Sequence, residues 1–333
     1  MYLRLLTALC LLIASAIFGQ PNITYAERLG YAKGAKVLIL HIDDAGMSFD
    51  SNDGAITALT KGIANSVSVM MPCPWVPGFV QFLQQHPNTD AGLHLTLTSE
   101  WENYKWGPVA GKTNVPGLTD TLGALWPSVE SVVVNATPAE VGAEIHAQFA
   151  KAFAMGFVPT HLDSHMGTLF ASAGFLAQYV ALGIEKNTPV MLPAGHNALI
   201  QQQMQMTSEQ LQQLRQLGTQ VWEAGLPVLD DLHNDSYGWT IPAEATTDMA
   251  LQQFKTAQYK KAFASLKPGL TMMIMHCTNP SSIFEKITAS GLSRKGDMLA
   301  MIDPALKQAL ADEHIIVTTW REIKQRRDAL KKQ

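Results

Sequence analysis

Apolar and polar positions alternate along this chain in blocks of two kinds. Short, mostly unbroken apolar runs recur, and between them lie longer segments with helical spacing. The first run, Val37-Leu38-Ile39-Leu40-His41-Ile42, leads directly into Asp43-Asp44 and then the small-residue turn Ala45-Gly46. A continuous aliphatic, β-prone run predicts a strand buried on both faces. Two adjacent acids at its end sit badly in a core and well at the mouth of a parallel sheet. Further strands are expected at 63–71, 91–98, 158–165, 188–192, 226–229, 270–275 and 314–318. Helices are expected at 50–62, 76–85, 138–155, 171–183, 208–218, 249–266, 303–311 and from 320 onward. Residues 100–135, rich in Trp, Gly and Pro, have no clear period and are expected as a long loop at a strand end. About eight strands alternating with helices mean βαβ units, and a closed, imperfect barrel fits this rhythm better than an open doubly wound sheet. No Gly-rich phosphate loop follows any strand, which counts against dinucleotide binding.

The N-terminus adds a second segment. Arg4 precedes an apolar run from Leu5 to Phe18 that ends in small residues, the layout of a signal peptide covering 1–19 and cleaved after Gly19. The run is short for a membrane span. A single catalytic domain over 20–333, exported to the periplasm or medium, is the expectation. The charge, −4 from 24 basic and 28 acidic residues, comes with no basic stripe interleaved with aromatics, so nucleic acid is excluded as a partner. Beyond Cys10 in the apolar run, the chain has Cys73 and Cys277. Export permits these two to pair, although two separate thiols are the favoured reading.

Candidate chemistry recurs at one place in the repeat. Asp43 and Asp44 follow the first strand, and His94 lies in the third. His161, Asp163 and His165 are at the fourth, Asp230 and Asp231 at the sixth, and His276 at the seventh. In a barrel these ends converge on one face. An Asp with two His is a common donor set for a divalent cation with open positions, zinc through imidazole or magnesium through carboxylate and water. A hydrolase built on it also needs a base for the attacking water and an acid for the leaving group, and the remaining Asp and a distant His are the candidates. A lone strand histidine such as His94 is more often a core residue, and Asp163 is also suited to orienting a histidine. His41 and His146 read as structural or solvent-facing, while His196 and His233 are left open. Trp101 and Trp106 are suited to stacking on sugar rings.

The motifs resemble one family. His41-Ile-Asp-Asp-Ala-Gly-Met-Ser48 is similar to the Asn-Ala-Asp-Asp-Phe-Gly-Leu-Ser opening of the YdjC-like carbohydrate deacetylases. The stretch from Gly62-Ile63 through Ser66, Ser68 and Met70 continues it. Gly92-Leu-His-Leu-Thr-Leu-Thr98 resembles the second motif, and Thr160-His-Leu-Asp-Ser-His165 matches the third almost letter for letter. Met275-His276 resembles the fourth, and Val317-Thr-Thr-Trp-Arg-Glu-Ile323 the closing strand and helix. The resemblance implies a distorted (β/α) barrel and metal-dependent removal of acetyl groups from N-acetylated sugars. It places the metal (Mg2+ or Zn2+) on Asp44, His94 and His165, the general base at Asp43 and the general acid at His276. His161, Asp163, Asp230, Asp231, Trp101 and Trp106 are the candidate substrate contacts. The chain departs from the family after His165, where Met166-Gly167 replaces further histidines, and after His276, where Cys277-Thr278-Asn279 precedes Pro280. It also lacks a basic residue at 188–192. Two other readings fit the residues: a metal-independent glycoside hydrolase using paired carboxylates such as Asp43 and Asp230, and a non-catalytic carbohydrate-binding protein.

Overall fold

The first apolar run forms β1 (Lys36–Ala45), buried along almost its whole length. The computed structural model describes residues 23–330, so the signal segment expected at 1–19 lies outside the described residues. The other strands are β2 (Ser66–Val69), β3 (Asp90–Leu95), β4 (Leu162–Ser164), β5 (Asp231–His233), β6 (Gly269–Met275) and β7 (Ile315–Val317). All named pairings are parallel. β1 pairs with β6 along one side, and with β7 and then β2 along the other. The main path runs β4-β3-β2-β1-β6-β5. Its two ends are joined through the segment expected as the strand at 188–192. There a bridge links Leu162 to Val190, and another links Pro193 to Leu229. The chain is therefore a distorted (β/α) barrel, with the expected strand at 188–192 reduced to single bridges and the one at 226–229 displaced to β5.

Alternation along β1 divides its side chains between two cores. Leu38, Leu40 and Ile42 join the large cluster formed with the surrounding helices. Val37 and Ile39 join a smaller one with Leu270, Met272, Ile274 and Trp320. His41 and Asp43 continue the Val37–Ile39 row, because strand side chains repeat every second residue. The same rule continues the Leu270–Ile274 row to His276. The row that is apolar at the foot of the barrel thus becomes polar at its C-terminal mouth.

Several helices start where the sequence carries caps. Ser48 accepts a hydrogen bond from Ser51 N at the head of Phe49–Lys61. Thr137 and Glu140 form a reciprocal capping box on Pro138–Ala154, a device that stabilises by about 1 kcal/mol. Five α-helices escaped the sequence reading, among them the short Tyr25–Arg28, Ala198–Met204 and Phe284–Ile287. Val129–Asn135 lies inside the expected loop. Gly291–Met301 packs on Asp248–Ser265 through Gly296, where a Cβ would stand 2.8 Å from Lys255 Cγ. Glycines and charges dilute the apolar period of that helix, and tertiary packing forms it instead. No helix among the described residues is long and apolar enough to cross a membrane.

Candidate metal centre

Asp44 is the pivot of the site. Its φ of +69° is left-handed, unusual for a residue other than glycine, and the register of β1 against β2 shifts between Ile42 and Ala45. This bulge lets two sequence neighbours address one mouth from different directions, as bulges beside active sites do. Asp44 Oδ1 lies 3.2 Å from His94 Nε2 and 3.3 Å from His165 Nδ1, and the two ring nitrogens are 3.2 Å apart. All three residues are buried.

The outer nitrogens fix what the inner ones offer. His94 Nδ1 is 2.7 Å from Asp163 Oδ1, and His165 Nε2 is 3.2 Å from Glu100 Oε2. A carboxylate only accepts, so the outer nitrogens carry the protons. In the neutral rings, His94 Nε2 and His165 Nδ1 then present lone pairs toward Asp44 Oδ1. That oxygen is buried and makes no hydrogen bond, in spite of the two short distances. Three lone-pair atoms facing one another need a positive charge among them, and a divalent cation fits this N, N, O donor set.

Electrostatics agree. Burial favours the neutral ring of His94, but the carboxylates of Asp43 and Asp163 outweigh it and raise its pKa well above the usual range. His165 is likewise opposed by burial, yet is raised to about 9 by Glu100 and Asp44. Burial works against the charge on Asp44 too. The Arg294 guanidinium, its Nη1 2.6 Å from Asp44 Oδ2, leads the groups that hold the carboxyl well below its ordinary value. Arg294 is itself buried, anchored by Ser290 Oγ at 2.9 Å, and lies against the rings of Trp101 and Tyr237.

Asp43 and His276 border this cluster. Asp43 Oδ2 is 3.8 Å from His94 Nε2 and 3.9 Å from His276 Nε2. His276 packs edge-on against Tyr237, and its backbone N–H donates to Asp297 Oδ2 at 3.1 Å. Asp297 is held in turn by Lys255, Tyr259 and Ser236, a buried network that fixes the turn after β6. Burial keeps the His276 imidazole below its ordinary pKa, so the ring is neutral near pH 7.

The remaining candidates separate. His161 is fully buried and stacks on Trp320 with 5.1 Å between centroids; Gly92 makes room for it, since a Cβ there would stand 2.5 Å from the ring. Asp163 is likewise buried and orients His94. Neither reaches the mouth. Trp101 does, against Arg294. Trp106 is buried, with Nε1 donating to Thr98 O, and anchors the loop. Asp230 and Asp231 lie toward the foot of the barrel. β5 begins at Asp231 rather than ending before Asp230, and Asp231 pairs with Thr271, which is level with Leu38. That places it five residues before Asp43 along β1, roughly 16 Å away at the usual strand rise. Asp230 accepts from the backbone of Tyr25, Ala26 and Leu270, and Asp231 from Leu199 and Ile200. Both acids are therefore capping groups, and the pairing of Asp43 with Asp230 required for a glycoside hydrolase is not formed.

His41 corrects the sequence reading in the other direction. It is fully buried inside the site, 3.2 Å from Asp43 Oδ1 and 2.9 Å from Asp163 Oδ2. Its place two residues before Asp43, on the same strand face, was the available signal. Glu100, just past the third strand, was equally visible as a strand-end acid. Arg294 had no sequence signal, because its helix was not foreseen. His146 is half-buried and pairs with Glu185, as a surface role requires, and His196 pairs with Asp231. His233 is buried in β5 with Nδ1 unpartnered. Cys73 and Cys277 are buried, unbridged thiols.

Known proteins resemble this chain in sequence and in fold. A carbohydrate deacetylase of Thermus thermophilus is 31% identical over 300 residues, which is 90% of this chain and 97% of that protein. A carbohydrate deacetylase of Brevibacillus brevis is 31% identical over 156 residues, covering 47% of this chain and 59% of that protein. The crystal structure of an Enterococcus faecalis protein named for cellobiose-phosphate cleavage superposes with a TM-score of 0.67 at 19% identity, covering 87% of this chain and 99% of that one. The profile of the family described as YdjC-like protein matches residues 37–312. With that match spanning most of its length, the chain belongs to the YdjC-like protein family.

Proposed function

We propose that the protein is a divalent-metal-dependent carbohydrate deacetylase that hydrolyses the acetyl amide of N-acetylated sugars or oligosaccharides. The observation that carries this reading is the convergence of Asp44 Oδ1, His94 Nε2 and His165 Nδ1, without hydrogen-bond partners for the carboxylate oxygen, beside Asp43 and His276. The relatives named carbohydrate deacetylase support the substrate class.

In this reading Asp44, His94 and His165 hold Mg2+ or Zn2+. The ion supplies polarisation of the acyl oxygen and acidification of a water molecule. Asp43, aimed at the same space, accepts the proton as the water oxygen attacks the acyl carbon. His276 starts neutral, so it must first gain a proton before serving as an acid. Asp43 Oδ2, 3.9 Å from its Nε2, is placed to hand on the proton it has taken. The imidazolium then protonates the departing nitrogen as the C–N bond breaks, leaving acetate and a free amine. Trp101 and Tyr237, flanking Arg294 at the mouth, offer faces for the sugar ring.

Acetate release from a panel of N-acetylated saccharides tests the reading, using protein stripped of metal and reloaded with single divalent ions. Activity restored by an ion supports it. No acetate from any saccharide with any ion overturns it. Export belongs to the same proposal and rests on the layout of the first 19 residues. Intact mass of protein recovered from the periplasm or medium is expected to match a chain starting after Gly19, and a full-length mass would contradict it.

A further inference from the structure

His41 lies beneath the site in a pocket made almost wholly of acceptors. Its Nδ1 is 2.9 Å from Ser66 Oγ and its Nε2 is 3.1 Å from Ser68 Oγ. Two carboxylate oxygens flank Nε2, Asp163 Oδ2 at 2.9 Å and Asp43 Oδ1 at 3.2 Å, and neither has a hydrogen-bond partner. β1 thus contributes Asp43, β2 its two hydroxyls, and β4 Asp163, with His161 just before that strand. The His161 ring meets His41 edge-on at 4.9 Å, while β6 offers the apolar Ile274 as register partner. A serine hydroxyl accepts from an N–H, so both ring nitrogens are free to carry protons. Two buried, partnerless carboxylate oxygens are costly beside a neutral ring and stabilised beside a cation.

We infer that His41 is held as an imidazolium and is a positioning residue for Asp43, the fixed cation that keeps the proposed base aimed at the mouth while also tying down Asp163 behind His94. The inference rests on the proposed deacetylase reading for the role of Asp43. Burial opposes charge on His41, yet the surrounding carboxylates raise it to about 9. Its neighbour His161 is pushed the other way, by burial and then by the charge on His41, well below the ordinary range.

The test is nitrogen-resolved NMR of the histidine side chains in the metal-loaded protein, together with H41Q and H41N. His41 is expected to keep both nitrogens protonated at pH 8, while H41Q binds metal in the same stoichiometry as the wild type. Its kcat should fall by roughly 10–100-fold with KM little changed, the usual effect of removing a group that orients a site residue. A singly protonated His41 at pH 8, or H41Q turnover equal to wild type across the pH range, overturns the inference. If wild type releases no acetate from any saccharide, the functional reading fails by itself, and the NMR result still decides the charge on His41. If H41Q does not fold, the wild-type spectrum decides.

Discussion

His94 Nδ1 and Asp163 Oδ1 are 2.7 Å apart, and that contact decides which nitrogen of His94 faces Asp44. A carboxylate behind a metal-binding imidazole fixes its tautomer and strengthens it as a donor. Replacing Asp163 with Ala frees the ring to turn and removes a negative charge from behind it. Metal affinity is expected to fall by roughly 10–100-fold, measured by competition with a chromogenic chelator. Unchanged affinity would mean that His94 is oriented by something else.

Metal uptake should depend steeply on pH. In the metal-free protein both His94 and His165 have raised pKa values, His165 to about 9, so an incoming cation must displace protons. Apparent affinity is expected to rise with pH between about 6 and 9, by roughly tenfold per unit for each proton released. Stability of the metal-free protein should move the opposite way. A histidine raised in the folded state stabilises fully below its unfolded pKa, near 6.5, and loses that contribution as pH climbs through about 9. For His165 the upper bound is roughly 3 kcal/mol. Thermal melts of stripped protein at pH 6 and pH 9 check the direction, and a stripped protein more stable at pH 9 would contradict it.

The sequence made much of this site legible because its chemistry sits at strand ends, and strand ends can be read from apolar runs. Asp43, Asp44, His165 and His276 follow or close such runs, and His94 lies within one. The errors came where that rule was applied one strand too literally. Leu226–Leu229 is apolar, but the ladder with β6 begins only at Asp231, so two acids assigned to the mouth belong to the foot of the barrel. His41 reads from the sequence as structural or solvent-facing, although the period of two places it on the face of Asp43. Arg294 lies 250 residues from Asp44, on a helix whose apolar period is broken by Gly291 and Gly296. Only the folded chain brings that guanidinium to the carboxylate.

Arg294 offers a separate test. Arg294→Met removes the partner of Asp44 Oδ2 and leaves a buried carboxylate oxygen without its cation. Breaking a buried pair in this way typically costs about 3–5 kcal/mol, and denaturant unfolding of metal-free protein should show a loss of that order. Arg294→Lys keeps the charge but loses the flat face against Trp101 and Tyr237, and should fall between the two. A metal-free Arg294→Met protein as stable as wild type would show that Asp44 does not depend on this pair.

Cys73 and Cys277 are buried and unbridged. Burial raises both thiols well above their ordinary pKa, which makes them poor nucleophiles in the folded state. Thiol titration is expected to find little reaction in native protein and two reactive thiols per mature chain after denaturation. A mature chain without free thiols in denaturant would contradict this.

The most direct measurement compares metal content and turnover in Asp43→Asn and Asp44→Asn. Asp44 bears the oxygen that faces both imidazoles, whereas Asp43 Oδ2 faces the space between His94 and His276. Asp43→Asn should therefore stay loaded with metal and lose roughly 10²–10⁴-fold in turnover, the range for a removed general base. Asp44→Asn should lose its metal first and recover part of its activity when excess metal is added. The contradicting result is the reverse: an Asp43→Asn protein that loses its metal while Asp44→Asn remains loaded and inactive.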